Sequence, residues 1–186
     1  MQKKEIPKIL IIAGSDSGGG AGIQADMKAI TYFKGYAMTA ITAVTSQNTK
    51  GVQAIFPLPI DHVKSQINSV LQDLNPDIIK TGMLADTNLI EMIADKVGDY
   101  KLVIDPVMVA TSGDILVPQD CVLAIKETLL PKSFLTTPNL HEAELLSGQK
   151  INNTEEQIEA AFKILDLGVK NVLVKGGHLT NKMITD

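Results

Sequence analysis

The chain has 186 residues, 45% hydrophobic and 20% charged, the composition of a soluble globular protein and not of a disordered one; it is read as one domain over residues 1–186. A net charge of -4 with no Lys/Arg cluster excludes a nucleic-acid surface, and no apolar run approaches the roughly 20 residues of a membrane span. The polar lead MQKKEIPK is unlike a secretory signal, so the expectation is a cytoplasmic protein whose partner is a small molecule.

The first apolar run, Ile9 to Ala13, predicts a strand, and it enters a loop carrying Gly14, Gly18, Gly19, Gly20 and Gly22 before a helix-like segment. Glycines permit positive φ and close backbone approach, and a helix start leaves N–H groups without internal partners, so this loop is expected to meet a ligand. A tight strand-to-helix turn needs fewer glycines. The loop is not a Walker A motif, because it ends Gly22-Ile23-Gln24 and not Gly-Lys-Ser/Thr. Gly20, Gly22 and Ala25 match the spacing of a dinucleotide fold, but no acidic residue occurs from Met27 to Ile60 to hold ribose hydroxyls.

The second strand, Ala37 to Val44, instead runs out into Thr45, Ser46, Gln47, Asn48 and Thr49, which suit a neutral hydrogen-bonding ligand. A helix follows, with Ile60, Val63, Ile67, Val70 and Leu74 on one face. Further short strands are predicted at Ile78 to Lys80, Leu102 to Ile104, Phe134 to Thr136 and Val172 to Val174. A helix with Ile158, Ala161, Phe162 and Leu165 on its apolar face precedes the last, opened by a capping box of Thr154 and Gln157. Apolar strands alternating with helices imply an α/β fold with a mainly parallel sheet and ligands at the carboxyl ends of the strands. The last strand has no covering helix downstream, so the chain is expected to lack a C-terminal portion or to receive that layer from another polypeptide.

The strand ends carry the candidate chemistry. Asp105, before Pro106, suits a metal ion or a turn start, and position alone leaves both open. Asn139 and Glu142 at N-x-x-E spacing suit a Mg²⁺ shell, although spacing alone favours a helix cap. Lys175 ahead of Gly176-Gly177 suits a phosphate charge over a solvated lysine. Met83, Val107 and Met108 offer an apolar wall or core packing. Ala110-Thr111-Ser112-Gly113-Asp114 reads as a flap or a surface loop, His141 and His178 as surface or packing residues, and Cys121 as a buried inert thiol.

The segments IAGSDSGGGAGIQAD, TAVTSQNTKGVQ, IKTGML, VIDPVMVATSGD, TPNLHEAELL and VLVKGGH, in this order, make the chain similar to the hydroxymethylpyrimidine and hydroxymethylpyrimidine-phosphate kinases, ribokinase-like enzymes of thiamine biosynthesis. The resemblance implies a three-layer α/β/α fold and ATP-dependent phosphorylation of 4-amino-5-hydroxymethyl-2-methylpyrimidine or its monophosphate. It implies that Gly14, Asp26, Gln47, Met83 and Val107 form the pyrimidine pocket, that Asn139 and Lys175 serve ATP, and that Asp105 and Glu142 serve Mg²⁺. Family members often pair, so a homodimer belongs to the same expectation. They also continue into a glycine-rich Gly-Thr-Gly-Cys or Gly-Ala-Gly-Asp segment that supplies the anion hole and catalytic base. This sequence has no such segment, so no catalytic residue is assigned. A pyridoxal or pyridoxine kinase of the same superfamily, or a remnant that only binds the pyrimidine, are the alternatives.

Overall fold

The computed structural model describes residues 5–97, 100–108, 117–177 and 185–186. The expected flap at 110–114 and His178 lie outside the described residues. The chain divides into two compact units, one of residues 1–83 and 97–101, the other of 84–96 and 102–186.

The first unit is built on β1 (Lys8–Ser15), whose residues Leu10, Ile11 and Ile12 are fully buried. Burying each such side chain contributes about 1.5–3 kcal/mol. It pairs in parallel with β2 (Tyr36–Asn48) on one side and β4 (Ile78–Thr81) on the other. The helix α1 (Gly22–Tyr32) packs on β1 and β2, with Ile23, Ile11 and Ala13 forming a core to which Ile30, Ala37 and Ile41 add. The helix α2 (Ile60–Asp73) lies on β2 and buries Val63 and Ile67 of its expected apolar face. Lys8 closes α2 by donating its Nζ to the Leu74 carbonyl at 2.7 Å, a cation at the negative end of the helix.

The sequence reading ends the second strand at Val44, whereas β2 continues to Asn48 and turns into an antiparallel partner, β3 (Gly51–Pro57). Every residue of β3 is exposed, including Ile55 and Phe56, so its burial leaves no alternating pattern to read. Two irregularities interrupt β2. The register against β1 shifts between Ala13 and Ser15, and the register against β3 shifts between Ser46 and Gln47. Beside the first, the Gln66 amide stands in for a neighbouring strand: Ile41 N–H donates to Gln66 Oε1 at 2.9 Å and Gln66 Nε2 donates to Ile41 O at 3.1 Å.

The second unit carries α3 (Thr87–Lys96), β5 (Lys101–Ile104) from Leu102 on, β6 (Leu135–Thr136) and three further helices, α4 (Gln119–Ala124), α5 (Leu140–Ser147) and α6 (Thr154–Leu165). A π turn, Ile125–Leu129, and a 3₁₀ turn, Leu130–Lys132, carry α4 down to β6. The strands β5 and β6 pair in parallel. Cys121 is buried in α4 as expected; burial pushes its thiol pKa up, which keeps it inert.

Three expectations are corrected here. Val172 to Val174 is not a ladder strand: only isolated bridges join Thr136 to Val172 and Asn139 to Lys175. The cause is Pro138, which accepts the Lys175 N–H through its carbonyl but has no N–H to return. The face Ile158, Ala161, Phe162 and Leu165 does not seat α6 in the core; Gln157, Ala160 and Ile164 do, leaving Ile158 and Phe162 exposed along a groove shared with Val172 and Leu173. The cap of α6 is Asn153 and not Thr154, its side chain accepting the Glu156 N–H at 2.9 Å.

The α/β class stands: the described pairings are parallel except that of β2 with β3. No helix among the described residues is long and apolar enough to cross a membrane.

Candidate active site

In the first unit the glycine loop is folded around a carboxylate. Asp16, 5% exposed, accepts N–H groups from Gly18 (2.7 Å), Gly20 (2.9 Å) and Ala21 (2.8 Å), while its carbonyl accepts that of Gly19 at 2.9 Å. Burial by itself raises the Asp16 pKa, and these donors outweigh it, so the carboxyl sits below its ordinary 3.8. The donors expected to face a ligand are thus taken by the chain's own anion. Asp16 also caps α1, whose N-cap residue Ala21 has no side chain to do so.

Of the five loop glycines, Gly19 and Gly22 take positive φ. Gly22 has a second constraint, since a Cβ there would collide with the Gly14 carbonyl. Gly18 is needed for close approach: its Cβ would stand 3.2 Å from the Gln47 carbonyl and 3.4 Å from Asn48 Cα, so the loop lies directly against the tip of β2. Gly14, by contrast, has room for a Cβ at 3.6 Å from Met83 Cε and 3.7 Å from the Ala43 carbonyl.

Four of the five expected pyrimidine residues belong to this unit. Gly14 ends the buried part of β1, with Met83 beside it. Asp26, on the first turns of α1, accepts from Lys80 Nζ of β4 at 2.7 Å, and both side chains are about three-quarters buried. Gln47 lies at the β2–β3 irregularity with its Oε1 3.4 Å from the Thr45 hydroxyl and with no described acceptor for its Nε2. Val107 belongs to the second unit, where its N–H donates to the Asp105 carbonyl at 2.8 Å.

The second unit gathers the other expected residues. Asp105 follows β5, and its Oδ1 accepts from Lys175 Nζ at 3.2 Å; the side chains are 26% and 44% exposed. Asn139 and Glu142 form a complete capping box on α5, the Asn139 Oδ1 accepting the Glu142 N–H at 2.9 Å and the Glu142 Oε2 accepting the Asn139 N–H at 2.8 Å. Glu142 is 2% exposed, and its Oε1 accepts the Met108 N–H at 3.3 Å. Burial drives its pKa above the ordinary 4.5 and Asp105 adds to the rise, against the Asn139 and Met108 N–H groups and the Lys175 charge. His141 lies on α5 with its ring half exposed, 4.0 Å from Glu144.

No group of three or more His, Cys, Asp or Glu among the described residues forms a ready metal cage. A magnesium ion takes one or two carboxylates and completes its shell with water and phosphate, and Asp105 and Glu142 are the two carboxylates expected to serve one. Asp105 is the more exposed of these carboxylates, its Oδ1 accepting from Lys175 and from the Thr137 hydroxyl, while both Glu142 oxygens and the Asn139 oxygen hold N–H groups.

Asp16, Ser17, Gln24 and Lys80 were not singled out by sequence as site residues. The signal for Asp16 is an acidic residue immediately before a glycine run, where its side chain can reach several following N–H groups.

A family model described as phosphomethylpyrimidine kinase matches residues 16–186. A hydroxymethylpyrimidine/phosphomethylpyrimidine kinase of Bacillus subtilis is 46% identical over 176 residues, covering 93% of this chain and 65% of its own length. Among solved structures, a phosphomethylpyrimidine kinase of Clostridium difficile superposes with a TM-score of 0.89 at 42% identity, covering 96% of this chain and 78% of its own. A pyridoxal kinase of Staphylococcus aureus in complex with ADP gives 0.88 at 37% identity, covering 97% and 67%. The chain therefore spans about two thirds of the Bacillus relative.

Proposed function

Since the chain belongs to the phosphomethylpyrimidine kinase family, we propose that it serves ATP-dependent phosphorylation of 4-amino-5-hydroxymethyl-2-methylpyrimidine and its monophosphate in thiamine biosynthesis. The first unit reads the neutral ring and the second handles phosphate charge. The observation that carries this reading is Asp16: with its carboxylate filling the glycine loop, that loop cannot cradle a nucleotide phosphate and is left to wall a neutral ligand.

Gln47 offers an amide donor and acceptor to the edge of an aminopyrimidine, whose ring nitrogens and exocyclic amine require both. Gly14 and Met83 supply backbone and apolar contact, and Asp26 is held by Lys80 as an acceptor. In the second unit Lys175 meets the nucleotide phosphates after leaving Asp105, with Asn139 beside it. A magnesium ion arriving with the nucleotide would supply positive charge against the phosphates. Asp105, partly exposed, and Glu142, buried with both oxygens accepting N–H groups, are the carboxylates that would hold the ion, Asp105 after release of Lys175 and Glu142 through the ion's water shell.

The likeness to the Staphylococcus pyridoxal kinase favours a second acceptor, pyridoxal, at lower identity. The test is an assay of the purified chain with MgATP and each alcohol, run beside direct binding of the alcohols. Phosphorylation of the pyrimidine in preference to pyridoxal supports the main reading. Preference for pyridoxal overturns the substrate, and saturable pyrimidine binding without transfer reduces the chain to a binding module.

A further inference from the structure

The Ser17 hydroxyl is bonded twice to the backbone of a single residue on another element. Ser17 Oγ donates to the Gln47 carbonyl at 2.8 Å and accepts the Gln47 N–H at 2.7 Å. A hydroxyl can do both at once, so the pair closes a small ring across 30 residues of sequence. Gln47 stands where the register of β2 against β3 slips, a place at which a strand re-aims a side chain and needs some other group to hold it.

Ser17 is itself firmly mounted. The residue before it donates its N–H to Gln24 Oε1 at 2.7 Å, and the Gln24 Nε2 reaches Ser15 Oγ at 2.8 Å. The residue after it donates its N–H to Asp16 Oδ1. Gly18 lets the loop lie against the Gln47 carbonyl, as its own missing Cβ shows. We propose that Ser17 is a positioning residue: from the Asp16-folded loop it clamps the backbone of Gln47 and so fixes where the Gln47 amide presents itself to the acceptor substrate. The inference rests on the reading of Gln47 as the ring-facing amide. Ser17 touches no substrate in this account and acts wholly through Gln47.

The test compares Ser17→Ala, Ser17→Thr, Gln47→Ala and the Ser17→Ala/Gln47→Ala double variant by calorimetric titration with 4-amino-5-hydroxymethyl-2-methylpyrimidine, and follows amide hydrogen exchange at Gln47 without ligand. Ser17 is exposed, so these variants keep the fold, which a thermal midpoint checks. Ser17→Ala is expected to weaken binding about tenfold and Ser17→Thr, which keeps the hydroxyl, less than about twofold. The double variant is expected to bind within about twofold of Gln47→Ala, because coupled residues are non-additive. Gln47 N–H exchange is expected to quicken in Ser17→Ala and not in Ser17→Thr. Additive losses in the double variant, or unchanged Gln47 exchange in Ser17→Ala, overturn the clamp. If the unaltered chain shows no saturable pyrimidine binding, the reading of Gln47 falls, and the exchange comparison alone then upholds or overturns the clamp.

Discussion

The Asp16 carboxylate accepts the Ala21 N–H at 2.8 Å, so the start of α1 is closed by a side chain five residues upstream and not by the N-cap residue itself. This one contact ties the glycine loop to the helix. Asp16→Asn is expected to lower the thermal midpoint at neutral pH. The Asp16 pKa is depressed in the folded chain, so its stabilisation is fully present above the ordinary carboxyl value of 3.8 and is lost as pH falls through the folded value. The gap between parent and variant should therefore narrow in acid, which denaturation at several pH values measures.

Glu142 carries the opposite sign. Its pKa is raised in the folded chain, so its contribution is present below the ordinary 4.5 and declines as pH rises through the folded value. Glu142→Gln keeps a side chain able to complete the capping box and removes the titration. Relative to that variant, the parent is expected to lose stability as pH climbs from 4.5, read as a difference in urea midpoint. Glu142→Ala leaves the Asn139 cap in place but strips the acceptors from the Asn139 and Met108 N–H groups, and should cost about 1–2 kcal/mol.

Two glycines of one loop should respond differently to alanine. Gly22 has φ 56 and a Gly14 carbonyl where a Cβ would go, so Gly22→Ala is expected to cost more than about 2 kcal/mol. Gly14→Ala meets only ordinary contacts at 3.6 and 3.7 Å, so it should change the thermal midpoint little. Its new methyl lies against Met83, and weaker pyrimidine binding without loss of stability is the expected calorimetric result.

Lys175→Ala separates the proposed phosphate role from a structural one. Its pairing with Asp105 is 44% exposed on the lysine side, so the substitution should cost under about 1 kcal/mol of stability. Loss of the phosphate contact should raise the KM for ATP about tenfold, while the affinity for the pyrimidine stays within about twofold of the parent. Nucleotide and pyrimidine titrations run on the same preparation distinguish the two effects.

Much of this architecture can be read from residue order. β1, β4 and β5 are short apolar runs bounded by Gly, Pro, Asn or Asp, and each forms within a residue or two of its expected limits. β3 was missed because an edge strand exposed along its whole length has no burial to imprint a period on its sequence. The face of α6 was misjudged because that helix is apolar on two sides; the buried side is marked by Gln157, a polar residue whose Nε2 is taken up by the Val174 carbonyl at 2.9 Å. Val172 to Val174 looks like a strand by itself, and only its neighbour Pro138 denies it a ladder. At the site, the N-x-x-E cap is a local pattern and was visible. The Ser17 clamp joins residues 30 apart and leaves no local pattern at either end.

The most direct test of the account is titration of 4-amino-5-hydroxymethyl-2-methylpyrimidine into the unaltered chain and into Gln47→Ala. Saturable binding by the unaltered chain, weakened about tenfold or more by loss of the Gln47 amide, is the predicted result. Absence of saturable binding, or equal affinity in the two proteins, would contradict it.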